Sequence, residues 1–322
     1  LWRYVRARRD KRGDGRPFVY LLTGTPQSKG YIDFFAQYRI MDADIFGTAK
    51  HYFEDRYCIY GRGREKFKVV RYRNKRELLK KINSHAFIIT KDKALDLPPV
   101  LDPTFIHTPL PPRARKLYME MAEDMVTWIE KGEEPITAAN AGAKRIRLQQ
   151  IAGGFTTDGK QIHDEKVKYL KDRLEDLCEA GENVLVYARF LPEVRAAHEA
   201  AQRAGYTAFA ISGSTPARDR KDQIREFQRS TKPIALVFQV STGSLAYNLT
   251  AASHVVFYSL PDSWVDYWQA LSRVDRQGQR KAINHYYLVA PGTLDARMLR
   301  ALREKRDMHA EIMGNPQGFL LG

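Results

Sequence analysis

Cysteine is scarce in this sequence of 322 residues, and long apolar runs are absent. Its two cysteines, Cys58 and Cys178, lie far apart, which excludes a disulfide scaffold and a cysteine zinc site and fits a reducing, intracellular setting. No apolar run approaches the roughly 18 residues of a membrane span, so we expect neither a transmembrane protein nor a membrane partner. The basic first residues lack the apolar stretch of a signal peptide. The histidines show no ligand spacing, so we expect no metal site.

Acidic residues are outnumbered, with 38 Asp and Glu against 53 Lys and Arg, a net charge of +15. This excess favours a polyanionic partner, with nucleic acid first and an anionic membrane surface a distant second. Residues 61–81 carry ten basic and two acidic side chains, interleaved with Phe67 and Tyr72. Basic groups neutralise phosphates and an aromatic ring can stack on an exposed base, although a solvated basic surface remains the alternative. The candidate DNA contacts in this stretch are Arg62, Arg64, Lys66 and Lys68.

From about residue 164, apolar runs that predict strands alternate with helical patterns, which indicates an α/β fold with a parallel sheet covered on both faces. The strands are predicted at 184–187, 208–211, 234–240, 255–260 and 285–289. Ser214 or Thr215 is expected to cap one helix, and Thr293 to cap the last one.

The upstream half is less regular. Residues 18–23 predict a buried strand, residues 31–60 and 113–131 predict helices, and an extended segment is expected between Pro99 and Pro109. The stretches 132–142 and 153–161 are loop-like.

The sharpest motif covers residues 269–279. If this segment is helical, Gln269, Arg273 and Arg276 fall on one helix face. A glutamine and two arginines aimed together suit a phosphate chain, because guanidinium groups bind phosphate oxygens with a planar fork. The alternative for two such arginines is a solvated basic helix.

The pattern Gln-Ala-x-x-Arg-x-x-Arg-x-Gly-Gln resembles motif VI of the SWI/SNF-type ATPases, the helicase-like DNA translocases of superfamily 2. Other segments follow in that family's order. Leu-Leu-Thr-Gly-Thr-Pro at 21–26 is similar to motif III, and 184–190 to motif IV. Ser-Gly-Ser-Thr at 212–215 is similar to the family's Asp-Gly-Ser-Thr turn, with Ser212 replacing the aspartate. Residues 239–252 are similar to motif V.

This resemblance implies a RecA-like parallel sheet with flanking helices, a partial first lobe and a helical connecting region. The expected divisions are 1–96 for the first-lobe remnant with a basic insertion, 97–163 for the connecting region, and 164–322 for the second lobe.

The resemblance also implies roles for particular residues. Arg273 and Arg276 would be catalytic, reaching the ATP phosphates from the second lobe. The residues implied in ATP binding are Gln269, Gly243 and Gly278. Those implied in coupling nucleotide state to DNA are Thr23, Gly24 and Thr25. Those implied in gripping the DNA backbone are Arg189, Phe190, Ser214, Thr215, Ser241 and Thr242.

The sequence also departs from the family. Gln239 and Val240 stand where motif V usually has Ser-Thr, and Ala246 where it often has glycine. Gln27-Ser28-Lys29 replaces the usual Leu-Gln-Asn after motif III. The variant is similar to phage or bacterial members, which implies the cytoplasm or nucleoid of a bacterial or phage-infected cell.

The phosphate loop Gly-x-x-x-x-Gly-Lys-Ser/Thr and the acidic Mg²⁺ box are absent from the 322 residues. In this family they precede motif III, so we expect the chain to begin just after motif II. ATP and Mg²⁺ would act in the intact enzyme, with neither bound tightly by this chain alone, which would be inactive. The implied partners are double-stranded DNA and the missing N-terminal ATPase lobe.

Two alternatives remain at this point. The chain could be a non-catalytic basic module that binds DNA or a partner, although such a module has no need of two arginines at this spacing. An RNA helicase is a weaker alternative, since its motif VI more typically reads His-Arg-x-Gly-Arg.

Overall fold

The computed structural model describes residues 19–28, 30–63, 66–89, 91–131, 138–244 and 247–312. The chain divides into two compact units, Leu1–Ala94 together with Glu304–Gly322, and Leu95–Arg303. No helix within the described ranges has both the length and the apolar character that a membrane crossing needs.

The first unit is built around an aromatic core. Its elements are α1 (Asp33–Met41), α2 (Ala43–Phe46), α3 (Lys50–Tyr57), β1 (Cys58–Tyr60), β2 (Val69–Tyr72), α4 (Lys75–Asn83) and α5 (Lys91–Ala94). Aromatic side chains of the first three helices pack edge to face, as Phe46 does on Phe53 with ring centroids 5.1 Å apart. Leu78 and Ile82, one helical turn apart on α4, complete this core. The helical prediction for residues 31–60 is therefore confirmed over most of its length.

The predicted buried strand at 18–23 is wrong over the part that the structure describes. Residues 19–23 form no strand, and the side chains of Tyr20 and Leu22 are 82% and 96% exposed. A strand is stable only when its backbone groups are paired. The strands described in this unit, β1 and β2, pair antiparallel with each other instead.

The second unit carries the predicted parallel sheet. Its elements are β3 (Thr104–His107), α6 (Pro112–Lys131), α7 (Ala138–Gly153), α8 (Glu165–Glu179), β4 (Val184–Ala188), α9 (Leu191–Arg203), β5 (Thr207–Ile211), α10 (Ala217–Arg229), β6 (Ile234–Gln239), a 3₁₀ turn (Val240–Ser244), β7 (His254–Phe257), α11 (Trp264–Leu271), β8 (Asn284–Val289) and α12 (Leu294–Ile312). The six strands run parallel in the order β3-β8-β7-β4-β6-β5.

Helices cover both faces of this sheet, which confirms the predicted α/β class. On β4, Leu185 and Tyr187 point into one core and Val184 and Val186 into the other. The first core is closed by α10, α11 and α12, and the second by α8 and α9. A central strand buried on both faces explains why β4 reads as a continuous apolar run instead of an alternating one.

The connecting region differs from expectation at one place. The extended segment between the prolines is confirmed as β3, which pairs parallel with β8, and the helix at 113–131 is confirmed as α6. The prediction of a loop at 132–142 is partly wrong, because α7 begins at Ala138. Leu148, Ile151 and Ala152 of α7 pack against Ala114 and Tyr118 of α6, and this tertiary burial stabilises a helix whose own sequence signal is weak.

A buried histidine makes the stability of this unit depend on pH. His285 lies on β8 with 6% exposure, and burial lowers its pKa from 6.5 to about 4. The unfolded chain therefore binds the proton first as pH falls. The contribution is present above pH 6.5 and is lost between pH 6.5 and 4, by roughly 3 kcal/mol for this shift. We expect the free energy of unfolding of His285→Phe to fall less than that of wild type between pH 7 and 4.5.

The measurement is urea unfolding at several pH values for wild type, His285→Phe and His51→Phe. His51 is exposed on α3 and serves as the matched control. Parallel pH curves for the His285 variant and wild type would contradict the assignment.

Candidate functional site

The predicted DNA-binding segments of the second unit lie side by side at the carboxyl edge of the sheet. Each follows a strand, since Arg189 comes after β4, Ser212–Thr215 after β5 and the 3₁₀ turn after β6. These strands are neighbours in the parallel sheet, so their carboxyl ends meet. Gln239, the last residue of β6, joins the segments directly. Its Oε1 accepts from the Gly213 backbone N–H at 3.2 Å and its Nε2 donates to the Arg189 carbonyl at 3.3 Å.

The turn after β5 is held by its own polar groups. Thr215 Oγ1 accepts from the Ser212 backbone N–H at 3.0 Å, and the Ser212 and Ser214 hydroxyls are 2.9 Å apart. Arg220 of α10 donates to the Thr215 carbonyl at 2.6 Å and to the Gly213 carbonyl at 3.1 Å. The predicted cap is therefore wrong, because Thr215 bonds back to Ser212 and α10 begins at Ala217, with Pro216 at the N-cap position and no side-chain cap. Ser214 is exposed.

In the 3₁₀ turn after β6, the two hydroxyl groups predicted to contact DNA differ in their exposure to solvent. Ser241 is exposed, whereas Thr242 is 8% exposed and its buried Oγ1 makes no hydrogen bond among the described residues. Gly243 lies within this turn. Ala246, a departure from the family pattern, lies outside the described residues. Ser241 is thus the hydroxyl of this pair that reaches solvent.

The backbone after β4 is fixed by a buried glutamate. Glu193 of α9 is fully buried, and its Oε2 accepts from the backbone N–H groups of Arg189 and Phe190, both at 3.1 Å, and from the Ser259 hydroxyl at 2.5 Å. Burial raises the pKa of Glu193, and the bond from Ser259 opposes that shift. Phe190 lies under the Arg189 guanidinium, 5.1 Å from ring centroid to Cζ. The carboxylate therefore sets the direction in which Arg189 leaves the sheet.

The single helix face considered for Gln269, Arg273 and Arg276, which requires the whole segment to be helical, does not form. Helix α11 begins at Trp264, whose burial anchors it in the core, and ends at Leu271, so only Gln269 is helical. Beyond Leu271 the chain turns, because the Arg273 carbonyl accepts from the Leu249 backbone N–H at 3.1 Å instead of continuing a helical ladder.

The two arginines consequently occupy different environments. Arg273 is 4% exposed and lies over Phe238 of β6, with its Cζ 5.5 Å from the ring centroid. Burial lowers the pKa of the Arg273 guanidinium, and neighbouring Arg276 lowers it further. Arg276 is half-buried and its Nη1 lies 3.5 Å from the Tyr247 carbonyl. Residues 247–252 therefore pack directly against the segment that carries both arginines.

Gln279 ties these two segments together, a role that its place in the motif did not reveal. It is 7% exposed, and its Nε2 donates to the Ala252 carbonyl at 2.8 Å and the Val274 carbonyl at 3.3 Å. Its Oε1 accepts from the backbone N–H groups of Arg280 and Lys281 at 2.9 and 3.0 Å. Gly278 precedes it with φ +103°, a conformation that favours glycine. The Gly-Gln pair thus holds the chain after Arg276.

The remaining predicted residues lie in the first unit, in two places. Thr23 and Gly24 are exposed, Thr25 is half-buried, and the Thr25 backbone N–H donates to Thr23 Oγ1 at 3.0 Å. These three coupling assignments stay predictions.

The basic candidates lie on the connection between β1 and β2. Arg62, Lys66 and Lys68 are exposed there, and Arg64 lies outside the described residues. Phe67 is 86% exposed, whereas Tyr72 packs edge-on against Tyr31 with centroids 4.9 Å apart. Of the two aromatics considered for stacking, Phe67 is the one that is available.

Comparison with known proteins confirms the resemblance. Residues 165–278 match the family model of the helicase conserved C-terminal domain. The mouse DNA annealing helicase and endonuclease ZRANB3 is 29% identical over 308 residues, 92% of this chain and 27% of that protein. The chromatin-remodeling ATPase INO80 of Cryptococcus neoformans (strain B-3501A) is 33% identical over 155 residues, 48% of this chain and 9% of that protein. The chain thus spans about a quarter or less of these relatives.

Solved structures share the fold. The Sulfolobus solfataricus SWI2/SNF2 ATPase core in complex with double-stranded DNA matches 92% of this chain and 63% of its own length, with 22% identity and a TM-score of 0.54. The C-terminal part of the Fun30 ATPase domain matches 68% of this chain and 99% of its own length, with 16% identity and a TM-score of 0.53. The predicted likeness to phage or bacterial members, and the location that it implies, stay predictions.

Proposed function

We propose that this chain, in which residues 165–278 form a helicase C-terminal domain of the SWI/SNF type, is the C-terminal part of an ATP-dependent translocase on double-stranded DNA. One observation carries the proposal. The chain after α11 leaves the helix and is held against residues 247–252, which fixes Arg273 and Arg276 at neighbouring positions. A basic binding module gains nothing from burying one of two such arginines.

The two arginines would act on the phosphates of ATP. Burial lowers the pKa of Arg273. Guanidinium groups bind phosphate oxygens with a planar fork, and Arg276 would be the more accessible of the two. Gln269, Gly243 and Gly278 would assist ATP binding in this lobe. A guanidinium placed in this way steadies charge on the phosphoryl group as it transfers.

The other half of the nucleotide site would come from a first ATPase lobe. In P-loop ATPases a phosphate loop cradles the β- and γ-phosphates and an acidic box holds Mg²⁺. Among the described residues, no three His, Cys, Asp or Glu side chains are grouped as metal ligands. Residues 1–96 would be the remnant of the first lobe, where Thr23, Gly24 and Thr25 couple nucleotide state to DNA. Residues 97–163 would connect it to the second lobe at 164–322.

DNA would be gripped by its backbone at the carboxyl edge of the sheet. Ser214 and Ser241 present exposed hydroxyls there, beside Arg189, Phe190, Thr215 and Thr242. The name of the ZRANB3 relative and the DNA in the Sulfolobus complex support this assignment. Backbone contacts carry no sequence information, so binding would be insensitive to sequence and steeply dependent on salt. Opening and closing between the lobes would then step the protein along the duplex.

Arg276→Ala tests the nucleotide assignment. We expect the full-length protein to lose roughly 10³- to 10⁵-fold in DNA-stimulated ATP turnover, because a finger of this kind contributes that factor. Arg276 is the better target than Arg273, whose burial makes its removal a stability change as well. The measurement is the steady-state rate of phosphate release with saturating duplex, while duplex affinity is followed in parallel and is expected to hold.

The matched control is Arg280→Ala, which removes the same charge from an exposed position close by. The chain of residues 1–322 alone is expected to give no turnover. Equal rates for both variants, or robust hydrolysis by the isolated chain, would contradict the assignment. An absence of turnover in the full-length protein would instead favour the basic binding module.

Neutralising the basic connection between β1 and β2 tests the second contact surface. Substituting glutamine for Arg62, Arg64, Lys66 and Lys68 is expected to lower the slope of log K against log salt by up to about 3 or 4, because each lost phosphate contact removes about 0.9. The measurement is a salt titration of duplex binding by fluorescence anisotropy.

The control variant carries four neutral substitutions at basic residues that are already paired with carboxylates: Lys168, Lys171, Arg203 and Lys281. Its net charge changes by the same amount as that of the first variant, but its slope of log K against log salt is expected to change little. An unchanged slope in the first variant would make residues 61–81 a solvated surface.

A further inference from the structure

An ion triad that no sequence motif indicated lies at the carboxyl edge of the sheet. Asp262 lies in the turn between β7 and α11 and accepts from two guanidiniums. Arg189 Nη2 is 2.5 Å from Asp262 Oδ2, and Arg145 Nη2, from α7, is 2.6 Å from Asp262 Oδ1. Gln149, one turn after Arg145 on α7, accepts from Arg189 Nη1 and lies 3.5 Å from Asp262 Oδ1. One carboxylate thus faces two permanent positive charges.

Neighbouring residues fix the orientation of Arg189, and the triad is accessible to an anion from solvent. The backbone of Arg189 is fixed by the buried Glu193, and its guanidinium is oriented by Gln149. The side chains of Arg145, Asp262 and Arg189 are 45%, 36% and 19% exposed, so the triad opens to solvent on one side. The triad carries a formal charge of +1, which leaves it attractive to a further anion even while Asp262 is in place.

A phosphodiester presents the same kind of oxygens that Asp262 presents here. Guanidinium forks bind carboxylate and phosphate in the same bidentate geometry, and both pairs are charge-assisted. The Arg145–Asp262 pair is about half exposed, and exposed ion pairs contribute little net stability, so an external phosphate can replace the carboxylate there at small cost. Asp262 would then face solvent and would no longer be paired with either arginine.

We propose that Arg145 and Arg189 form a binding site for a DNA backbone phosphate, and that Asp262 covers this site in the DNA-free chain. The proposal rests on the proposed function, because it adds Arg145 to the duplex contacts and makes Asp262 their competitor. A duplex phosphate is favoured over the phosphates of ATP, because Gln239 links the Arg189 backbone to the turn after β5 that carries the exposed Ser214, whereas Arg273 and Arg276 are held against residues 247–252.

Asp262→Asn tests the competition, since it keeps the shape of the side chain and removes its charge. We expect duplex affinity to rise roughly 3- to 10-fold, because binding no longer has to displace a carboxylate. The control is Asp176→Asn on α8, which removes the same charge from an exposed aspartate that is paired with Arg173. It is expected to leave affinity nearly unchanged. The measurement is fluorescence anisotropy with a labelled blunt duplex at fixed salt.

Two further substitutions test whether the gain in duplex affinity depends on the two arginines. Adding Arg145→Gln and Arg189→Gln to Asp262→Asn is expected to abolish the increase and lower the salt slope by about 1 to 2. ATP affinity and inorganic phosphate affinity are measured on the same proteins and are expected not to follow the duplex. Thermal melting checks that each variant is folded.

The outcomes separate the two claims. Duplex binding by wild type with no gain, or a loss, in Asp262→Asn would overturn the covered site while leaving the translocase proposal in place. A gain in ATP affinity without a gain in duplex affinity would also overturn it. A gain in duplex affinity that survives removal of both arginines would overturn it as well, because the charge of Asp262 would then act without them. Absence of duplex binding in every variant would remove both proposals.

Discussion

The parallel pairing of β5, β6, β4, β7 and β8 is the constraint on which the rest of the second unit depends. Because these strands run the same way, every loop that leaves a carboxyl end emerges at one edge. The loops after β4, β5 and β6 carry Arg189, Ser212–Thr215 and Ser241, whereas the strands are almost wholly apolar. Gln239 then links the loops after β4 and β5, so that three segments distant in sequence form one polar surface.

That edge is stiffened by buried polar groups. Lys166 of α8 is 1% exposed and its Nζ lies 2.7 Å from Asp295 Oδ2 and 3.0 Å from the Tyr258 carbonyl. Glu193 fixes the backbone after β4 by accepting from the N–H groups of Arg189 and Phe190. Removing one partner of such a buried pair is strongly destabilising, whereas the pair itself adds little net stability. These groups therefore fix geometry at the site more than they hold the fold together.

The fold was largely predictable because its signals are local. Apolar runs at 184–187 and 234–240 predicted two strands, which the structure contains as β4 and β6 inside the sheet. The errors arose where distant contacts decide. The loss of the strand predicted at 18–23 depends on which strands are there to pair, and the helix at the end of the loop predicted at 132–142 depends on packing against α6. The Asp262 triad joins three elements and has no signature in the sequence. These contacts can be read only from the folded chain.

We propose that the chain supplies the second lobe of a DNA translocase, and that another lobe completes its ATP site. This claim is tested most directly by following a third strand bound in the major groove of a duplex while the full-length protein hydrolyses ATP. The account predicts that the third strand is displaced only with ATP, at a rate that grows with turnover and that falls when Arg276 is replaced by alanine. ATP hydrolysis without displacement, or displacement without ATP, would contradict translocation along double-stranded DNA.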